Sequence, residues 1–330
     1  MSPSYLTMTT QFTNHAYFQD KAKWRIQDNE LLIYDHLDGF DNNLESDVLN
    51  HAVFFAKEKN ISTIVTGYIF SDYFNKRHDI NFSYREELTG FNLSELKIYN
   101  RRPTIDYKNF ICSFNGGDHA GRQLLTSVLN NQGFFNSNYS SKNFKTGNDQ
   151  VLGHLNNLDL AEDEVELYDK FFKNTDKFNN TVYSFGHFRY DHKKNIYHLE
   201  SKLTQSFVHI VSETLATSYY PFVTEKFLYS ILTRGLFVAY AQPGWHANLE
   251  KYYGFKLYNT IFDYSFDSIQ NPVKRLIKLI EMVSKFSKLS ADDWRDLYHL
   301  LEKDRVEYNY DHYFSGSYLK HAKQFDTINN

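Results

Sequence analysis

The sequence predicts an α/β protein of two Rossmann-like domains facing across a cleft, and three observations carry that expectation. The chain has 330 residues, more than a single hydrophobic core usually organises, so two domains are expected. Short apolar runs alternate with helical periodicity over residues 30 to 100, and the same alternation returns more sharply from Ser206 to Tyr253. Strands that alternate with helices favour parallel sheets with right-handed crossovers, which present ligand-binding groups beyond the strands' carboxyl ends.

In order along the chain, Leu31-Leu32-Ile33-Tyr34 and Ile61-Ser62-Thr63-Ile64-Val65 read as strands. Between them, Asp47 to Lys59 reads as a helix with Val48, Ala52, Phe55 and Ala56 on one face. Asn109 to Phe114 is the next strand, followed by the loop Asn115-Gly116-Gly117-Asp118-His119-Ala120-Gly121 and a helix from about Arg122 to Asn130. A strand, a glycine-rich turn and a helix start can cradle a phosphate, although the spacing matches neither G-x-G-x-x-G nor a P-loop, and a tight βα turn is the plain alternative. Residues 136 to 180 are rich in Ser, Asn, Lys and Gly and turn acidic from Asp159 to Glu166, so this compositional shift is read as the approximate domain hinge. Phe207 to Val211 is a continuous apolar strand. Thr224 to Thr233 is a helix with Phe227, Leu228, Ile231 and Leu232 apolar, closed by Gly235. Leu236 to Tyr240 is a further strand, Gln242-Pro243-Gly244 a turn, and Trp245 to Tyr253 a helix. The tail from Asn271 to about Arg305 reads as amphipathic helices on the outside.

Composition narrows the function classes. Hydrophobic residues make up 42% and charged residues 23%, which is ordinary globular usage and not that of a disordered chain. A formal net charge of −4 supplies no global basic field to draw in nucleic acid or anionic lipid. The 26 Tyr and 29 Phe read first as core residues and second as stacking surfaces for sugar or base rings. Cys112, the one cysteine, lies in an apolar run and reads as a buried strand thiol in a reducing compartment. The opening MSPSYLTMTTQFTNHAYFQD has no apolar signal core, and no run is long enough to span a bilayer, so a cytoplasmic protein with no transmembrane segment is expected.

The densest chemical constellation is Ser212-Glu213-Thr214, then Tyr219-Tyr220-Pro221-Phe222, then Val223-Thr224-Glu225-Lys226. Glu213 follows a strand directly, and Thr224, Glu225 and Lys226 open the next helix, where a lysine can meet a diphosphate. The residues also fit a plain helix start, with Thr224 as N-cap, Glu225 as dipole partner and Lys226 as a solvated charge. On the functional reading Glu213 accepts hydrogen bonds from sugar or ribose hydroxyls, Glu225 holds the ribose and Lys226 neutralises the leaving diphosphate. His187, His192 and His198 lie near Asp191, but they lack tight metal-ligand spacing, and no metal is expected. No Gly-x-Ser-x-Gly elbow follows any strand, which argues against serine hydrolase chemistry.

Val211-Ser212-Glu213 followed by Tyr220-Pro221-Phe222-Val223-Thr224-Glu225-Lys226 resembles the donor-binding motif of the α-1,3-fucosyltransferases and their viral and phage relatives. In that family a strand ends in Phe-Glu-Asn, and Tyr-x-Thr-Glu-Lys comes next. Gly235 to Gly244 is similar to the family's Gly-x-x-Pro-x-x-x-Gly strand and turn, and Tyr253-Gly254-Phe255-Lys256 with Ile261-Phe262-Asp263 to its closing strand and acidic turn. Phe110 to Phe114, Asn115 and Gly121-Arg122 resemble the strand and helix start that open the family's donor domain, where the arginine binds pyrophosphate. A diphosphate would supply the negative charge that an arginine at a helix start otherwise lacks. Phe222 stands where the family often has a nucleotide-contacting Tyr, and Thr214 where an Asn follows the Glu, so the donor is read more broadly as a GDP- or UDP-sugar.

The resemblance implies a GT-B fold divided into an acceptor-side domain over 1–105, a donor domain over 106–305 and a tail over 306–330 that returns to the N-terminal domain. It implies a glycosyltransferase with no permanently bound cofactor and no metal, using a nucleotide-sugar as co-substrate and a hydroxyl acceptor, either a saccharide or a hydroxymethylated base of phage DNA. Asn115, Arg122, Phe222, Thr224, Glu225 and Lys226 would bind the donor. The family inverts, which calls for a carboxylate base from the N-terminal domain. Asp72, at the end of the strand-like Gly67 to Ser71, is the first candidate, with Glu86 and Glu87 next, and Glu213 is the second residue assigned to the chemistry. The alternative is a non-catalytic nucleotide-sugar or glycan-binding module on the same fold, which donor turnover would exclude.

Overall fold

The computed structural model describes residues 22–35, 52–66, 80–84, 93–116, 120–134, 139–142, 191–213 and 223–326. Two four-stranded sheets organise them into an α/β fold. In the first, β1 (Ala22–Gln27) and β2 (Glu30–Asp35) form an antiparallel hairpin. Its two-residue turn, Asp28-Asn29, is left-handed at both positions (φ 50° and 65°), a geometry Asp and Asn tolerate and one that matches the twist of paired strands. β2 pairs in parallel with β3 (Thr63–Thr66), and β3 with β4 (Asn81–Tyr84). Leu31, Leu32, Ile33, Ile64 and Val65 are buried, as are Ala52 and Ala56 of a helical run over 52–58.

The second sheet is parallel throughout, in the order β6-β5-β7-β8. Its strands are β5 (Asn109–Asn115), β6 (Tyr139–Lys142), β7 (Ser206–Ser212) and β8 (Leu236–Tyr240). Between them run α1 (Ala120–Asn131), α2 (His192–Thr204) and α3 (Glu225–Leu232). Every residue of β7 and β8 is buried, as a parallel strand covered on both faces must be. From β5 the chain crosses to β6 on one side, and from β7 it crosses to β8 on the other. Right-handed crossovers of opposite direction put α1 on one face and α3 on the other. In keeping with this, α1 packs against α5 (Pro272–Ser284), while α2 packs against α3.

β6 lies within the segment expected to be the hinge. It pairs with β5 from Cys112 opposite Tyr139 to Asn115 opposite Lys142, so residues 136 to 180 open inside the second sheet instead of between the two sheets. Among the described residues β6 pairs with β5 alone, and its Tyr139-Ser140-Ser141-Lys142 contains no apolar run, which is why it reads as a linker. Residues 143–190 lie outside the described set.

The end of α3 also differs from expectation. Arg234, not Gly235, takes the left-handed conformation (φ 59°). Its N–H donates to the Ile231 carbonyl at 3.1 Å, and that of Gly235 to Ser230 at 2.8 Å, the paired bonds of a Schellman motif. Arg234 is held by an ion pair to Glu307. Gly235 is required for another reason, since a Cβ there would lie 2.0 Å from Cε1 of His209.

After β8 come α4 (Trp245–Tyr253), a 3-10 turn over Tyr264–Ser268, α5, α6 (Ala291–Leu297), a π-helical turn over Tyr298–Glu302, α7 (Lys303–Phe314) and α8 (Ser317–Asp326). The closing strand expected at Tyr253 to Lys256 is not formed. Tyr253 ends α4, and Gly254 (φ 73°) is its left-handed cap. Asn309 of α7 replaces the strand neighbour, accepting from the Lys256 N–H at 2.7 Å and donating to its carbonyl at 2.9 Å. α7 runs unbroken across residue 305, and α8 packs against both α4 and β4.

Much of the aromatic content fills this core. Trp294 stacks on Phe110 and Phe207, with centroids 5.8 and 5.7 Å apart, and Phe227, Phe237, Trp245 and Phe255 pack edge to face. Among the described residues no helix is long and apolar enough to cross a membrane.

Candidate functional site

The change of direction between β5 and β7 creates a topological switch point, where α/β sheets bind ligands beyond the strand ends. β5 ends there in Asn115, which is buried and donates from Nδ2 to Ser113 Oγ at 3.2 Å. β7 ends in Ser212, and Glu213 continues its pairing through an N–H bond to the Tyr240 carbonyl at 3.1 Å.

Glu213 is buried and turns both oxygens to Thr224, accepting from its hydroxyl at 2.6 Å and its N–H at 3.3 Å. Thr224 in turn caps α3 by accepting from the Lys226 N–H at 3.3 Å. The N-cap reading is therefore correct, and the same side chain also fastens the end of β7 to the start of α3. Burial pushes the Glu213 carboxyl up to about 7, against the opposing pull of Lys226 and of the Thr224 hydrogen bond. Thr224→Val is expected to cost about 2 kcal/mol in chemical denaturation, because it removes a cap and leaves Glu213 without its short bond, whereas Thr224→Ser should retain most of the stability.

Glu225 is the electrostatic centre of the site. Lys226 Nζ donates to Glu225 Oε1 at 3.0 Å and also reaches Thr224 Oγ1 at 3.3 Å. His192 Nδ1, in the first turn of α2, lies 3.9 Å from the same carboxylate oxygen and 3.3 Å from the Tyr229 hydroxyl. Burial alone would raise the Glu225 carboxyl, but the charges of Lys226, His192 and Arg122 hold it below the ordinary carboxylate range. Burial, followed by the negative charge of Glu225, pushes the Tyr229 hydroxyl well up, so it stays neutral.

Arg122 reaches this cluster from the other side of the switch point. It is only 4% exposed, although it sits in the first turn of a helix more than a hundred residues upstream of Glu225. Lys226 by contact and Arg122 through its charge thus act on one carboxylate, with a second carboxylate, Glu213, tied to the same helix start through Thr224. Two cationic side chains at the starts of two helices suit an anion with several oxygens.

Of the residues read as site candidates, Asn115, Arg122, Glu213, Thr224, Glu225 and Lys226 lie at or beside the switch point. Asp72, Glu86, Glu87, Thr214, Phe222 and His187 lie outside the described residues. Tyr229 is not among the sequence candidates, and His192 enters there only in the grouping with His187 and His198 that is not expected to hold a metal. His192 follows the N-cap Asp191, a signal of helix start that says nothing of Glu225. His209 and His246 are structural. His209 bonds Leu203 and Ser230 inside the core, and His246 links Asp267 to the edge N–H of Ala239.

Comparison with known proteins adds little. No protein-family model matches the sequence, and no curated protein matches it. Among solved structures, the chain is similar to an α,α-trehalose-phosphate synthase (UDP-forming) from Burkholderia vietnamiensis, with a TM-score of 0.38 and 11% identity over 87% of this chain. The match spans 66% of that protein's length, just under two thirds. Nothing about donor, acceptor or chemistry follows from a similarity this distant.

Proposed function

We propose that the chain is a glycosyltransferase that binds a nucleotide-sugar at the switch point of its second sheet, with the donor diphosphate held between Arg122 and Lys226. The observation that carries this reading is a pair of cations at two separate helix starts, Lys226 in contact with the part-buried Glu225 and the buried Arg122 acting on it through charge. The Thr224-Glu225-Lys226 resemblance to a donor-binding motif points the same way. In the transfer, the acceptor oxygen bonds to the anomeric carbon, its proton passes to a carboxylate base, and the bond from the sugar to the β-phosphate breaks. The arginine and lysine would stabilise the charge that gathers on the departing diphosphate, where low polarity makes each interaction count for more than in water. Asp72 is the proposed base, and a saccharide or a hydroxymethylated DNA base the proposed acceptor class. Glu213 serves this chemistry by fixing the start of α3 through Thr224.

Thermal unfolding with GDP, UDP, CDP, ADP and dTDP tests the proposal. One nucleotide at about 100 times its Kd should add about 2.7 kcal/mol to the wild type and leave Lys226→Ala nearly unmoved. Equal stabilisation of both proteins would remove Lys226 from the site. Stabilisation without release of nucleoside diphosphate, across a broad acceptor panel, would leave a binding module in place of an enzyme.

A further inference from the structure

Successive residues of a strand point to opposite faces of its sheet. Along β7, His209 and Glu213 turn toward α3, where they bond Ser230 and Thr224. Ser212, out of step with both, faces the other way. It stands opposite Tyr240 in the register with β8, and the Tyr240 hydroxyl donates to the Pro272 carbonyl at the start of α5. On that side α1 packs against both α5 and β7. Since β5 ends at Asn115 and α1 begins at Ala120, the first turn of α1, with Arg122, lies at the same end of the sheet as Ser212. Ser212 is only 2% exposed, and its hydroxyl has no hydrogen-bond partner among the described residues. A buried hydroxyl without a partner costs the fold free energy, which a ligand that supplies an acceptor restores. The surroundings favour an anionic acceptor. The first turn of α3 holds Glu225, whereas that of α1 holds no acidic residue and adds the cation of Arg122 to the positive pole of the helix.

We propose that Ser212 donates its hydroxyl to a phosphate oxygen of the bound diphosphate. The anion is then held from both faces of the second sheet, by Lys226 from the side of α3 and by Arg122 and Ser212 from the side of α1. The assignment rests on the anion-site reading above and adds an uncharged donor to its two cations. A hydroxyl bonded to an anionic oxygen is among the stronger hydrogen bonds, and the O–H reaches its acceptor by rotation alone. In the free protein the same hydroxyl weakens the fold slightly, and the ligand relieves it.

Calorimetric titration of inorganic pyrophosphate, and of whichever nucleoside diphosphate stabilises the wild type, into intact wild type, Ser212→Ala and Ser140→Ala tests the assignment. Ser140 of β6 is a matched control, since it is buried, its hydroxyl also lacks a partner among the described residues, and β5 separates it from β7. Ser212→Ala should weaken both ligands by about tenfold or more and raise the urea midpoint of the free protein, because an unpaired hydroxyl is lost. Ser140→Ala should bind both as the wild type does. Unchanged affinity in Ser212→Ala overturns the assignment and leaves the anion site standing. A lowered urea midpoint in Ser212→Ala also overturns it, because the hydroxyl would then be engaged within the fold. A loss confined to the nucleotide, or a wild type that binds nucleotide but not pyrophosphate, puts the contact on ribose or base and overturns it too. An equal loss in Ser140→Ala would trace the effect to the sheet as a whole. If the wild type binds neither pyrophosphate nor any nucleotide, the anion site falls and the assignment falls with it.

Discussion

Replacing Gly235 with alanine is expected to destabilise the fold by about 3 kcal/mol, a large loss for one methyl group. The added Cβ would sit 2.0 Å from Cε1 of His209 and 2.5 Å from both ring nitrogens. The ring has no free direction of retreat. Nε2 donates to the Leu203 carbonyl at 2.8 Å, and Nδ1 accepts from the Ser230 hydroxyl at 3.0 Å. Burial depresses His209 to about 4, so the ring is neutral and needs this one tautomer. Moving it breaks both bonds inside a sheet whose neighbouring strands, β7 and β8, are buried along their whole length. Urea denaturation of Gly235→Ala, His209→Ala and the double variant gives the decisive cycle. In the His209→Ala background the glycine substitution should cost less than about 1 kcal/mol, because the clash is gone. Equal costs in both backgrounds would mean that His209 is not what excludes a side chain at 235.

Glu213→Gln is expected to stabilise the protein above neutral pH by on the order of 3 kcal/mol. The sign follows from proton counting. A free glutamate loses its proton near pH 4.3, whereas folded Glu213 holds its own up to about 7. Between these limits the native state binds more protons than the unfolded chain, so stability falls as pH rises and levels off above the folded value. Each pH unit of displacement is worth about 1.4 kcal/mol, which sets the size of the effect. The carboxamide cannot ionise, so Glu213→Gln should lose this downward slope between about pH 4.5 and 7, while its oxygen still accepts from the Thr224 N–H. Denaturant midpoints across that range check it. A variant with the same slope as the wild type would show that Glu213 is not the group responsible.

The strands β7 and β8 of the second sheet are legible residue by residue. Phe207 to Val211 and Leu236 to Tyr240 are continuous apolar runs because both faces of their sheet are covered, and such runs stand out in a sequence. Thr224-Glu225-Lys226 reads as a helix start because capping is a local matter of one side chain and the next turn of backbone. Strands without a continuous apolar run are less visible. β6 is short and polar, and β1 announces itself only through alternation in Lys23 to Gln27 ahead of Asp28-Asn29. The closing strand expected at Tyr253 to Lys256 fails because a side chain from far along the chain, Asn309, meets the backbone needs of Lys256.

By itself the sequence determined part of the local grammar of this protein: which continuous apolar runs are strands, where α3 is capped, and which charged groups stand at helix starts. Only the tertiary structure decided that β5 and β7 are neighbours, and that the charges of Arg122, His192 and Lys226 therefore act on one carboxylate. Capping and periodicity act over a few residues and leave their marks in the order of the chain. Strand order is set by how whole layers bury their apolar faces, and that choice brings together groups whose separation along the chain bears no trace of it.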